Sequence, residues 1–258
     1  VRKMHKLVLA ATILVGSVAI ASAADPRVAQ PAAPFDWTGF YAGGHAGVGW
    51  GDADYTFAND EGINFPSENY FNWEAGDTFS HRMGGGLLGV HAGYNQQHEN
   101  LVLGLEGSLS LANVGRSGIH SPFNWNDTRQ DTISTRLDWL GMLTPRVGYA
   151  SDRWLVFAKG GLAYGQVRSR IDAYSDVGRF DVTKTFSRPG WTIGAGVNYA
   201  WTNNIILGLD YNYVDLGSFT VSSFARDSET GEIDTRGSTH NVDTAFHAIM
   251  ARVSWQFN

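Results

Sequence analysis

Taken at every second position, residues 191–201 read Trp191, Ile193, Ala195, Val197, Tyr199, Trp201, with Thr192, Gly194, Gly196, Asn198 and Ala200 between them. After Thr202-Asn203-Asn204 the alternation resumes: Ile205, Leu207, Leu209, Tyr211 and Tyr213 against Gly208, Asp210 and Asn212. A period of two is the mark of β-strands, so this stretch predicts a hairpin with one oily row and one small or polar row. The same alternation predicts eight strands, at roughly 37–53, 84–97, 100–112, 135–150, 153–169, 189–201, 204–217 and 243–257.

The connections alternate in length. Short links, "QQHEN", "ASDR" and "WTNN", follow the second, fourth and sixth segments. Long ones, about 54–83, 113–134, 170–188 and 218–242, follow the first, third, fifth and seventh. An even number of strands with short turns at one end and long loops at the other is the plan of an outer-membrane barrel. The expected fold is therefore all-β: an eight-stranded antiparallel transmembrane up-and-down β-barrel. Its oily row would meet lipid, and aromatic residues would mark the two interfaces. Phe40 and Trp50, Trp139 and Tyr149, and Trp154 and Tyr164 are each ten residues apart, and Trp191 and Tyr199 are eight apart. A tilted spanning strand takes about 9–11 residues, so these pairs fit the two edges of one bilayer. The last strand adds Trp255 and Phe257, followed by Asn258. A soluble barrel would turn the apolar row inward and give no cause for this spacing.

The opposite row then faces the lumen. It holds His45, His91, Glu106, Asp138, Arg146, Lys159, Asp210 and Arg252 among many glycines. Eight strands enclose just enough room for side chains, and buried charges must pair. Three acids (Glu106, Asp138, Asp210) against three bases (Arg146, Lys159, Arg252) suggest an internal network that fills the lumen. An ion path along the same charges is the alternative.

The N-terminal part has a different character. A basic "RKMHK", an apolar "LVLAATILVGSVAI" and Ala21-Ser22-Ala23 have the plan of a secretory signal peptide over residues 1–23. Residues 24–36 read as a periplasmic linker with "ADPRVAQPAAP" at its start, and 37–258 as the barrel. There is no cysteine, so an exported chain must be held together without disulfides. The sequence has 19 Lys+Arg against 25 Asp+Glu, and removing Arg2, Lys3 and Lys6 leaves 16 against 25. An acidic, exported chain is unsuited to nucleic acid.

Several segments resemble a known family: "WTGFYAGGHAGVGW", "GGGLLGVHAGYNQQ", "LGLEGSLS", "RVGYA", "LVFAKGGLAYG", "WTIGAGVNYAWTNNIILGLDYNYVDLG" and "ARVSWQF". Together they are similar to the small porin-like outer-membrane proteins of alphaproteobacteria, the RopB-type group within the OmpA-like eight-stranded barrels. The resemblance covers the strands of about residues 35–258 and leaves the loops uncovered. It implies an abundant, antigenic surface protein of the outer membrane, and no settled chemistry. Such chains typically end on an aromatic residue read by the barrel-assembly machinery, whereas here Asn258 follows Phe257.

Candidate chemistry is sparse. Ser80, His81 and Asp77, or His240 and Asp243, supply hydrolase residue types without a catalytic signature around them. His45 and His91 could ligate haem or a metal from adjacent strands, but no ligand spacing accompanies them, so no cofactor or metal is expected. Residues 54–82 carry six acids and one Arg, 217–243 five acids and two Arg, and 168–189 five bases and three acids. Loops 54–82, 113–134, 170–188 and 218–242 thus offer surfaces to outer-membrane lipid and lipopolysaccharide, or to a host or envelope partner. The leading expectation is a structural and surface-interaction role. A narrow porin and a haem- or metal-binding receptor are the alternatives.

Overall fold

The computed structural model describes residues 34–60, 78–120, 132–175, 178–226 and 233–257. The signal-peptide segment, most of the 24–36 linker, the centres of the four long loops and Asn258 lie outside the described residues. Eight strands follow one another: β1 (Gly39–Asp60), β2 (Thr78–His98), β3 (Leu101–His120), β4 (Thr132–Ser151), β5 (Trp154–Ser175), β6 (Gly178–Ala200), β7 (Ile205–Arg226) and β8 (Ile233–Phe257). Each pairs antiparallel with the next, and β8 pairs back on β1 from Phe40↔Phe257 upward, closing the barrel.

All eight predicted strands are present in order, but they are longer than the oily alternation suggested. The extra length lies at the long-loop end, where β1–β8 pairing continues to Asp60↔Ser238 and β5–β6 pairing to Ser175↔Gly178. Above the bilayer the outer row has no lipid to meet. The hydrophobic signal stops there while the backbone ladder goes on. The β6–β7 ladder is shorter, running from Ala200↔Ile206 to Trp191↔Asp215. Beyond it lie Pro189, which has no N–H to give, and Gly217 in the left-handed region at φ 69°.

Within the membrane band the pleat sorts side chains cleanly. On β3, Leu103, Leu105 and Leu109 are about half exposed, whereas Val102, Glu106 and Ser110 are buried inside. At the short-turn end two hairpins place a non-glycine residue in the left-handed region, Glu99 (φ 53°) and Asp152 (φ 50°). The third turn is held by Thr202, whose Oγ1 accepts from the amides of Asn204 (3.2 Å) and Ile205 (2.9 Å).

The lumen is filled in three tiers. At the short-turn end Phe35, Trp37, Val102, Leu155, Phe157 and Ile206 form an apolar cap. The chain before β1 contributes to it: the Trp37 amide donates to Gln97 Oε1 at 2.8 Å, and the Phe35 ring meets Trp37 edge-on at 4.8 Å. At the long-loop end a second cluster includes Met83, Leu87, Leu137, Leu140, Leu216 and Phe246. Between them lies a polar tier. Small residues give its large side chains room: a Cβ on Gly89 would come within 2.6 Å of His45 Nε2, and one on Gly93 would run into the Tyr41 hydroxyl.

Candidate functional site

The middle tier is built around Glu106 on β3, which is 2 % exposed. Its Oε2 accepts from the Tyr41 hydroxyl at 2.8 Å, from Arg146 Nη1 at 3.4 Å and from Arg252 Nη2, while Oε1 accepts from Lys159 Nζ at 3.5 Å. Asp210 on β7 is the second acid. Its Oδ2 accepts from Lys159 Nζ at 2.7 Å and Arg252 Nη1 at 2.5 Å. Lys159 and Arg252 therefore each bridge both carboxylates across the barrel. In this low-dielectric setting such bonds are strong when complete and costly when broken.

Two acids meet three bases here, one positive charge in excess. Arg146 is the loosely paired cation. Its Nε donates to Asn95 Oδ1 at 3.0 Å, and its guanidinium lies 4.9 Å from the Tyr41 ring centroid and 4.7 Å from that of Phe157. Two aromatic faces and an amide oxygen thus take the place of a third carboxylate. Tyr41, Asn95 and Phe157 were absent from the sequence-derived set, although each lies on the inward parity of its strand.

The expected third acid, Asp138, is not in the lumen. A bulge on β4 sets Leu137 against Val167 and Trp139 against Gln166, leaving Asp138 as the extra residue. One inserted residue flips the facing of everything on its far side. Uninterrupted alternation would put Asp138 inside and Leu137 out. The bulge instead buries both Leu137 and Leu140 in the upper apolar cluster, and Asp138 goes to the outer face. There its Oδ1 accepts from Arg136 Nε at 3.0 Å, and Arg168 Nη2 lies 3.0 Å from Oδ2.

His45 and His91 stack in the polar tier with ring centroids 5.5 Å apart. Their Nδ1 atoms face each other at 3.3 Å, so one ring donates and the other accepts. Each Nε2 meets a serine hydroxyl, Ser110 at 2.8 Å and Ser254 at 2.7 Å. Among the described residues no group of three or more His, Asp or Glu side chains is placed to hold a metal ion. Ser80 Oγ donates to Asp54 Oδ1 at 2.5 Å; Asp77 and the side chains of His81 and His240 lie outside the described residues. A space of about 10 Å³ remains between His45, His91, Glu106, Lys159, Asp210 and Arg252. That is at the lower limit for one water.

The aromatic residues form two outer rings. At the short-turn end Phe40 contacts Tyr94 (4.8 Å) and Trp154 contacts Tyr199 (4.6 Å), with Tyr149, Trp255 and Phe257 exposed at the same end. At the long-loop end Trp139 meets Tyr164 (5.7 Å), Trp191 meets Tyr213 (5.4 Å) and Trp50 stacks on His247 (5.8 Å). Tyr213, the end of the oily row of β7, and Tyr94 and His247, which were not foreseen, complete the rings. Between them the outer wall is leucine, valine and isoleucine.

A closed eight-stranded barrel with an oily wall between two aromatic rings is what the comparisons with known proteins match. The family model described as outer membrane protein beta-barrel domain matches residues 10–257. The chain belongs to the outer-membrane β-barrel family. It is similar to the 31 kDa outer-membrane immunogenic protein of Brucella melitensis, at 31% identity over 98% of this chain and 100% of the relative. It is also similar to the 22 kDa outer membrane protein of Rhizobium leguminosarum bv. viciae, at 29% identity over 70% of this chain and 65% of the relative. Among solved structures it shares its fold with the outer membrane protein OprG from Pseudomonas aeruginosa, with a TM-score of 0.54, 10% identity, and 87% and 98% of the two chains covered. The protein is thus an outer-membrane β-barrel of the small alphaproteobacterial group, located in the outer membrane. In barrels of this kind the longer loops lie on the outward side.

Proposed function

We propose that this barrel is a closed, non-enzymatic structural and surface-interaction protein of the outer membrane. The observation that carries the reading is the middle tier: five charged side chains, each at most 5 % exposed, tie β3, β4, β5, β7 and β8 together between two apolar clusters. Such a tier braces the wall from within and leaves solutes no continuous polar path. The extended hairpins above the upper aromatic ring then provide the working surface. They contact lipopolysaccharide and present epitopes, in keeping with relatives named immunogenic proteins. A narrow porin would need the tier to part.

Planar-bilayer recording on refolded protein tests this. The expected record is quiet, with at most brief small openings. Steady ohmic conductance in the wild type, unaffected by Glu106→Gln, would remove the closed-lumen reading and favour the porin.

A further inference from the structure

The outer face of β4 and β5 just above the upper aromatic ring is cationic. Arg136 and Arg168 are direct cross-strand neighbours, both facing outward, with 48% and 46% of their side chains exposed. Like charges in that position repel. Asp138, turned outward by the bulge, lies between them at 3.0 Å from each and holds the two guanidiniums in place. Arg170 is one outward position above Arg168, also exposed. Arg136 and Arg168 with their shared Asp138 carry a formal charge of +1, and Arg170 extends the basic face above them. On the neighbouring strand β6 the exposed Thr185 and Thr183 stand opposite Arg168 and Arg170. On the opposite wall, β1 and β8 carry exposed Asp52, Asp54 and Asp243, so the basic face is confined to one sector.

Its height matters. Arg136 is three residues beyond Trp139, and Arg168 four beyond Tyr164. At about 3.3 Å per residue and a tilt near 40°, that is roughly 7–10 Å above the ring. Headgroups occupy about the first 5–8 Å outside the hydrocarbon, within reach of a long arginine side chain. Below the patch the wall is Trp139, Tyr164 and Leu162, suited to acyl chains. Planar guanidiniums bind phosphate by paired hydrogen bonds, and threonine hydroxyls suit sugar. We propose that Arg136, Arg168 and Arg170, oriented by Asp138, form a binding site for the phosphate of an outer-leaflet glycolipid of the lipopolysaccharide type. Oily wall, aromatic ring, arginines and hydroxyls in vertical sequence match such a lipid and exceed what free phosphate needs. The site deepens the lipid-contact part of the proposed function and is independent of whether the lumen conducts.

The test uses the full-length barrel in uncharged detergent, with bound lipid counted by native mass spectrometry. The probes are bisphosphorylated lipid A, its dephosphorylated form and inorganic phosphate. Wild-type protein is expected to bind the phosphorylated form at least about tenfold more tightly than the dephosphorylated one. Arg136→Gln/Arg168→Gln should abolish that preference while keeping the heat-modifiable gel shift of a folded barrel. Asp138→Asn leaves the two guanidiniums to repel each other and should weaken the preference for the phosphorylated form. Equal binding of the two lipid forms by the wild type, or an undiminished preference in the folded double variant, overturns the site. Displacement of lipid A by equimolar inorganic phosphate would overturn the assignment to a glycolipid. The bilayer recording reads the lumen alone, so failure of one reading leaves the other standing.

Discussion

Glu106 accepts from Tyr41, Arg146, Lys159 and Arg252, which makes it the most consequential single charge in the barrel. Glu106→Gln keeps its shape and a carbonyl for Tyr41, so no cavity enters the comparison. It does leave three cations facing Asp210 alone, raising the formal charge of the tier from +1 to +2. Breaking a buried pair from one side costs about 3–5 kcal/mol, and here three cations lose their shared partner. Removing a cation works in the opposite direction. Arg146→Met brings the tier to neutrality, loses the 3.4 Å contact to Glu106 and the 3.0 Å bond to Asn95 Oδ1, and puts a flexible apolar chain between the Tyr41 and Phe157 rings. Its expected cost is about 1–3 kcal/mol, chiefly from the buried Asn95 oxygen left without a donor. The order Glu106→Gln above Arg146→Met thus follows from the charge count and the contacts. Urea titration of refolding into lipid bilayers, read by heat-modifiable gel mobility, gives both values. The double change Glu106→Gln/Arg252→Met should recover at least about 1 kcal/mol relative to additivity, because it removes directly paired groups. An Arg146→Met cost equal to or above that of Glu106→Gln, or strict additivity in the double variant, would refute the reasoning.

Three further outcomes are expected. Leu209 is half exposed on the lipid face, midway between the rungs of Trp255 and His247, so Leu209→Arg should cost about 2–4 kcal/mol in the same titration, whereas Leu209→Ile should be nearly silent. Trp37→Ala removes a fully buried ring from the lower cap and should cost about 3–5 kcal/mol; a cost below about 1 kcal/mol would mean that the chain before β1 does not hold the cap. Glu99 has φ 53°, a conformation costing a side-chain-bearing residue about 1–2 kcal/mol, so Glu99→Gly should stabilise by up to about 1 kcal/mol after the added chain entropy of glycine, seen as a higher urea midpoint.

Parity along the strands was enough to find Glu106, Arg146, Lys159, Asp210 and Arg252, because in a barrel every second residue must face one way. It could not reveal who pairs with whom. Arg252 and Glu106 are 146 positions apart in the chain and meet across the lumen, a distance set by barrel closure rather than by any local pattern. Tyr41, Asn95 and Phe157 had the right parity, but a search for opposing charges passes over residues that receive a cation without being charged. Phe35 precedes the strand alternation, and nothing in "FDW" distinguishes a linker from a cap that folds into the mouth. The strand ends were illegible for a different reason. Above the bilayer the outer face of a hairpin meets water, so the oily outer row ends while hydrogen bonding and inward packing continue.

Asp138 shows how far one local irregularity reaches. The segment Arg136-Leu137-Asp138-Trp139-Leu140 has no glycine or proline to announce a bulge. Strict alternation would place an unpaired carboxylate inside, among the leucines and methionines of the upper cluster, where burial without a partner is costly. It would also turn Leu137 outward and leave a gap against Leu140. The extra residue removes both penalties, since Leu137 and Leu140 join one apolar cluster and Asp138 lies outside, paired with two arginines. The consequences extend to both faces of the wall. Inside, the upper cluster stays free of a buried carboxylate. Outside, two like-charged neighbours gain the carboxylate that lets them share one patch above the membrane. The bulge therefore keeps the upper lumen apolar and, by the same inserted residue, gives the outer surface its charged patch.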